Sequence, residues 1–168
     1  WIMSNFDWKT FTVRVPVKAP VDKLYWCWAT REGMEYWFLR LSEYKNRDGN
    51  LRKENEQVQK GDSYKWLWYG WPDDTVEQGE IIGCEGKDDF KFSVGKAGNC
   101  AVTIKEENNQ AIVELLQDEI PDDEQGRQYY QLGCKTGWTF YLANLKSLLE
   151  GGIDLRNRDE KLKNVINS

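Results

Sequence analysis

Histidine is absent from the 168 residues, and that absence decides much of the available chemistry. The commonest general base and the commonest metal ligand are both missing, so neither a Ser-His-Asp nor a Cys-His device can be assembled. Cys27, Cys84, Cys100 and Cys134 are scattered, with no C-x-x-C pair. Each lies beside apolar residues, where a free thiol behaves as a small buried hydrophobe; buried, reduced cysteines are expected here, and no zinc site or redox pair. Carboxylates are plentiful, but only Glu80, Glu85, Glu114 and Asp118 were found within apolar, strand-like runs. A buried acid with a raised pKa could serve as a general base. A lone acid on an amphipathic strand ordinarily faces water, however, and none of the four has an orienting partner that the sequence can name. No catalytic residue is assigned, and no metal or cofactor is expected.

The aromatic side chains are the richer resource: nine Trp, eight Tyr and six Phe. Large rings fill cores, and they also line ligand cavities, which are mostly apolar with a few polar anchors. Trp37, Trp66, Trp68, Phe92, Trp138 and Tyr141 are the candidates for such a lining. Indole N–H and tyrosine hydroxyl groups would then orient the ligand, and Trp138→Ala should weaken it more than it disturbs the fold. The glycine-rich GKAGN (95–99) follows a strand but lacks the Lys-Ser/Thr ending of a P-loop, so it reads as a turn.

Most of the chain that must position these rings reads as strands. Phe11, Val13, Val15 and Val17 alternate with polar residues, the period-two pattern of a half-buried strand, and Pro16 marks it as an edge or a strand end. Pro20 opens a short helix, and Thr30 is a candidate cap for a second that carries Met34, Trp37 and Phe38. Further strands are expected at 41–45, 63–71, 76–85, 89–95, 100–107 and 110–120, with Asn108-Asn109 as a tight hairpin. On 63–71, Trp66 and Trp68 should point inward. The polar segment 46–62 reads as a mobile surface loop. The run 123–150 has sustained helical periodicity, with Tyr130, Cys134, Trp138, Tyr141, Leu142, Leu145, Leu148 and Leu149 on one stripe. Asp122 or Asp123 would cap its start and Gly151 close its end. Asn144 falls off the stripe and reads as solvent-facing, and Gly133 and Gly137 read as points of close approach to the sheet. The mixed charges of 154–163 read as a solvated tail or helix face. The fold class is α+β.

The net charge of −5 argues against a nucleic-acid partner, whose affinity would rest on clustered Lys and Arg. No apolar run reaches the length of a membrane span, and no secretory leader is visible, so a cytoplasmic location is expected. Met3, after Trp1 and Ile2, is a candidate natural start.

Element order and particular motifs together resemble the helix-grip fold of the START/Bet v 1-like (SRPBCC) superfamily, in the branch of the Aha1 domain and START-like bacterial proteins. The motifs are VRVPVKAPVDKLYWCWAT (13–30), REGMEYWF (31–38), GDSYKWLWYG (61–70), GEIIGCEG (79–86) and GWTFYLANLKSLLEGG (137–152). The resemblance implies that residues 1–168 are one such domain: a curved antiparallel sheet of six to seven strands around a long C-terminal helix, with a cavity between them. It implies non-catalytic binding of a small hydrophobic or aromatic ligand, lipid-like or polyketide-like. An Aha1-like module that binds a chaperone is the alternative, followed by an aromatase/cyclase-type enzyme. The chain is expected to be a monomer or a weak homodimer.

Overall fold

The alternating valines of the first strand do pack one face inward. In the computed structural model, which describes residues 6–84, 86, 88–163 and 165–166, they form β1 (Phe11–Val17). Met3 and Glu85 lie outside the described residues. Pro20 precedes α1 (Val21–Ala29), and the Thr30 hydroxyl accepts the Gly33 N–H at 2.9 Å to cap α2 (Arg31–Trp37). Six strands follow: β2 (Leu41–Lys45), β3 (Ser63–Leu67), β4 (Glu77–Gly83), β5 (Asp89–Ser93), β6 (Asn99–Glu107) and β7 (Gln110–Asp118).

All pairings are antiparallel, in the order β1-β7-β6-β5-β4-β3-β2. Pro16, which cannot donate to a ladder, therefore sits on an edge strand. The β6–β7 hairpin turns through Asn108 and Asn109 with φ of 50° and 61°, the left-handed region that asparagine tolerates. The register shifts between Ile81 and Gly83, an irregularity that bends β4. The inner face carries Tyr64, Trp66, Ile81, Phe90, Phe92, Val102, Val113 and Leu115, all buried.

The expected C-terminal helix is present, but it is not uniform. Asp123 caps its start, accepting the Gly126 N–H at 2.7 Å. The backbone from Gly126 to Gly133 is then π-helical, and α3 proper runs Cys134–Leu149. Such wide turns interrupt a 3.6-residue stripe. Accordingly Trp138, Tyr141, Leu142 and Leu145 are buried, while Tyr130 and Cys134 are only partly so. Gly151, at φ 82°, closes the helix.

Three expectations about polar segments are corrected. Asn144 is fully buried. Its Nδ2 donates to the Trp37 carbonyl at 2.7 Å and to Asp154 Oδ1 at 3.2 Å, and its Oδ1 accepts the Leu155 N–H at 2.7 Å. The tail 154–163 is not solvated throughout, since Arg156 is only 7% exposed. Its guanidinium donates to the carbonyls of Glu35, Leu39 and Tyr36 at 2.9, 3.0 and 2.8 Å, closing the C-terminal end of α2, and to both Asp154 oxygens. Burial alone would raise the Asp154 carboxyl, but hydrogen bonds from Arg156 and Arg158 hold it well below the usual carboxylate range. The segment 46–62 is pinned rather than loose. Val58 is buried and its N–H donates to Ala29 O at 2.9 Å, while Arg52 grips the buried Asp62 at 2.6 and 2.9 Å.

Candidate functional site

Between α3 and the β3–β4 end of the sheet lies a cavity of about 500 Å³, within the range of about 300–1,000 Å³ usual for ligand pockets. Most of its wall comes from four places. The end of α2 gives Phe38, and β3 with the turn after it gives Trp66, Trp68 and Trp71. The start of β4 gives Glu77, and the π-helical turn with α3 gives Tyr129, Gly137, Trp138, Phe140 and Tyr141. A groove of about 400 Å³ between β1 and α3 is of another kind, bordered by Arg14, Lys146 and Glu150. There Arg14 pairs with Glu114 at 2.8 Å and Lys146 with Glu150 at 2.6 Å, so its charges are already satisfied.

The rings form a connected array. Phe38 lies 4.9 Å from Trp138 and 4.7 Å from Tyr141, centroid to centroid, and meets Trp66 and Trp68 edge-on at 5.7 and 5.9 Å. Edge-to-face pairs of this kind add stabilisation beyond their buried area and hold ring positions. Of the six aromatic residues selected from the sequence, Trp66, Trp68, Trp138 and Tyr141 line the cavity. Trp37 and Phe92 do not. Both are fully buried behind the wall, and the Trp37 indole donates to the Cys27 carbonyl at 3.0 Å.

Two indoles expected to orient a ligand are engaged by the protein. Trp138 Nε1 donates to Gln117 Oε1 at 3.1 Å, and Trp66 Nε1 to the Tyr44 hydroxyl at 3.2 Å. Gln117, itself buried, donates from Nε2 to Ala97 O at 2.8 Å and thereby ties α3 to the turn after β5. Trp138 is 7% exposed and packs on Trp28 and Phe92 at 6.0 and 5.9 Å as well as on Phe38. It is core and cavity wall at once, so Trp138→Ala removes a packed core ring together with part of the wall.

Glycine shapes the open side. A Cβ built on Gly137 meets no atom within 4 Å, and at Gly133 the nearest atom, Gln128 O, is 3.6 Å away. Close approach to the sheet, the reason assigned from the sequence, therefore does not hold for Gly137. The missing side chain leaves space beside the rings.

Glu77 was not singled out from the sequence. It stands opposite Trp66 in the β3–β4 ladder and is, among the described residues, the single charged residue of this wall. Burial raises its carboxyl above the ordinary value, opposed by a hydrogen bond from the Gln78 backbone N–H. The acids named from the sequence lie elsewhere. Glu80 and Asp118 are exposed, Glu114 pairs with Arg14 on the outer face, and Glu85 is outside the described residues. Among the described residues no disulfide joins the cysteines, and burial pushes the Cys27 thiol up to about 12, which leaves it unreactive. Among the described residues no cluster of His, Cys, Asp and Glu could hold a metal ion, and no helix is long and apolar enough to cross a membrane.

A seven-stranded sheet gripping a long C-terminal helix over an aromatic cavity defines a helix-grip protein of the START/Bet v 1-like kind. The chain belongs to the family described as Activator of Hsp90 ATPase homolog 1-like protein, whose model matches residues 18–150. Among solved structures it is similar to SSP2350 from Staphylococcus saprophyticus, with a TM-score of 0.66 at 18% identity over 88% of this chain and 96% of that one. The Aha1 dimer from Colwellia psychrerythraea aligns with a TM-score of 0.61 at 15% identity, over 85% and 97% of the two chains. DynU16, a protein of the dynemicin biosynthetic locus, gives 0.63 at 19% identity over 89% of this chain and 50% of its own. At these identities the likeness is one of fold. No curated protein matches the chain in sequence.

Proposed function

We propose that the chain, acting as one START-like domain, binds a small hydrophobic or aromatic ligand in the cavity between β3–β4 and α3, without catalysis. The observation that carries this reading is the pairing of rigid rings with empty volume. Phe38, Trp66, Trp68 and Tyr141 are fixed by contacts with one another, while Gly137 leaves open a space that a side chain would occupy. Burial of ligand area there contributes roughly 25 cal/mol per Å², and preset walls limit the ordering cost. Trp66, Trp68, Trp138 and Tyr141 are the proposed contacts from the original set, with Phe38 and Gly137 added. Cysteines that form no disulfide among the described residues suit a reducing compartment, in keeping with a cytoplasmic location.

The test is titration with phenylnaphthylamine, a neutral fluorophore that brightens in apolar surroundings. Saturable binding by the native protein, lost in Gly137→Phe, supports the reading. Equal fluorescence from both proteins would place the dye elsewhere and sink it.

A second reading is favoured by the rim of the cavity, where Trp71, Tyr129 and Ile166 are exposed. Exposed apolar groups together mark contact surfaces, and the family's description names a chaperone ATPase. On this reading the protein is a chaperone-binding module. An isothermal titration against Hsp90 that gives no heat removes it.

A further inference from the structure

Glu77 is half-buried and, unlike Asp62 and Asp154, has no countercharge among the described residues. Asp62 is held by Arg52, and Asp154 by Arg156 and Arg158. Among the described residues no Lys or Arg makes an ion pair with Glu77. The Gln78 backbone N–H partly relieves the carboxylate. A charge removed from water without a partner is costly, and buried charges are ordinarily paired. The β3–β4 register pairs Glu77 with Trp66 on one face of the sheet, and both line the space that Phe38, Trp68, Trp71 and Tyr141 surround.

A lone carboxylate walled by aromatic rings has the chemistry of a cation site. The carboxylate answers the charge and accepts its hydrogen bonds, while ring faces attract the same charge through their quadrupoles. An anionic ligand would meet Glu77 with no basic residue in the wall to offset the repulsion. A ligand without a donor would cover the acid and leave it unpaired.

We propose that the ligand of this cavity carries a protonated amine on an apolar body, with the Glu77 carboxylate as its counter-ion and the surrounding rings as its walls. The proposal rests on the cavity-binding reading above and narrows it to one ligand class. Glu77 contacts the ammonium group, and the space beside Gly137 takes the apolar body.

The experiment compares probes of one shape and different charge. Naphthylmethylamine, naphthylmethanol and naphthoate are titrated calorimetrically at neutral pH into the native protein and into Glu77→Gln, which keeps the side-chain shape. The amine should bind the native protein more tightly than the alcohol by about ten-fold, the scale of one added charge-assisted contact, with naphthoate weakest. Glu77→Gln should erase the amine's advantage while still binding the alcohol, and that surviving affinity also shows that the variant is folded. Amine and alcohol binding alike, or naphthoate binding best, overturns the amine proposal and leaves the cavity reading standing. Failure of every naphthyl probe, together with failure of phenylnaphthylamine, overturns both.

Discussion

Substitution at Gly137 separates an open cavity from a filled core more cleanly than any aromatic truncation. A glycine inside a helix costs about 1 kcal/mol relative to alanine, because its backbone is freer in the unfolded chain. At Gly137 the added methyl meets nothing within 4 Å, so no steric term opposes the gain. Gly137→Ala should therefore be more stable by about 0.5–1 kcal/mol, which at this chain length raises Tm by about 1–4 °C. Gly137→Phe carries the argument further. Its ring enters a space of about 500 Å³ and covers apolar wall, so stability should match or exceed that of the native protein while phenylnaphthylamine binding is lost. Calorimetric melting and urea titration with an unchanged m-value would measure both effects. If Gly137→Ala melted lower, or if Gly137→Phe lost more than about 2 kcal/mol as overpacked cores do, the space would not be there and the reasoning would fail.

Other expectations follow from individual contacts. Arg156→Met should cost about 3–5 kcal/mol in a urea titration, because it leaves three carbonyls at the end of α2 without their donor and Asp154 with Arg158 as its remaining guanidinium; a loss under about 1 kcal/mol would show that the clasp is incidental. Trp138→Ala should cost about 3–5 kcal/mol, since it removes a ring packed on Trp28, Phe38 and Phe92 and takes the indole donor from Gln117; near-native melting would contradict this. Glu77→Gln should melt higher than the native protein at neutral pH. The folded state raises the Glu77 pKa, so the native protein loses stability as pH rises above the unfolded value of about 4.3 and through the raised folded value. The advantage of glutamine should shrink towards zero below that window, and a pH-independent difference would assign it to packing instead.

The sheet was readable because strand alternation and turn chemistry are local. Phe11 to Val17, the Asn108-Asn109 turn and the Thr30 cap each carry their signal within a few residues. Polar burial was not readable, since it depends on partners far along the chain. Asn144 is buried because the Trp37 carbonyl and the Leu155 N–H meet it, and Arg156 because α2 ends with carbonyls beneath it. The mixed charges of 154–163 look solvated until α2 is in place.

Glu77 was hidden for a different reason. Ile81 and Ile82 are both apolar, so the parity of β4 is ambiguous in the sequence, and Glu80 drew attention instead. Fully buried Ile81 fixes the parity that turns Glu77 inward and Glu80 out, and the pairing of Glu77 with Trp66 agrees. Four of the six aromatic candidates gather at one cavity, whereas nothing local distinguishes Trp37 and Phe92 from them. The π-helical turn was also invisible. Its residues keep a helical composition, and only the packing of Tyr130 and Cys134 reveals the broken stripe.

Native mass spectrometry of the freshly purified protein asks outright whether the cavity under α3 holds a ligand. A reproducible adduct is expected on the native chain, recovered by solvent extraction as a small apolar compound, and a bare chain for Gly137→Phe. A native chain that is bare under every gentle condition, or an adduct that persists unchanged in Gly137→Phe, would contradict it.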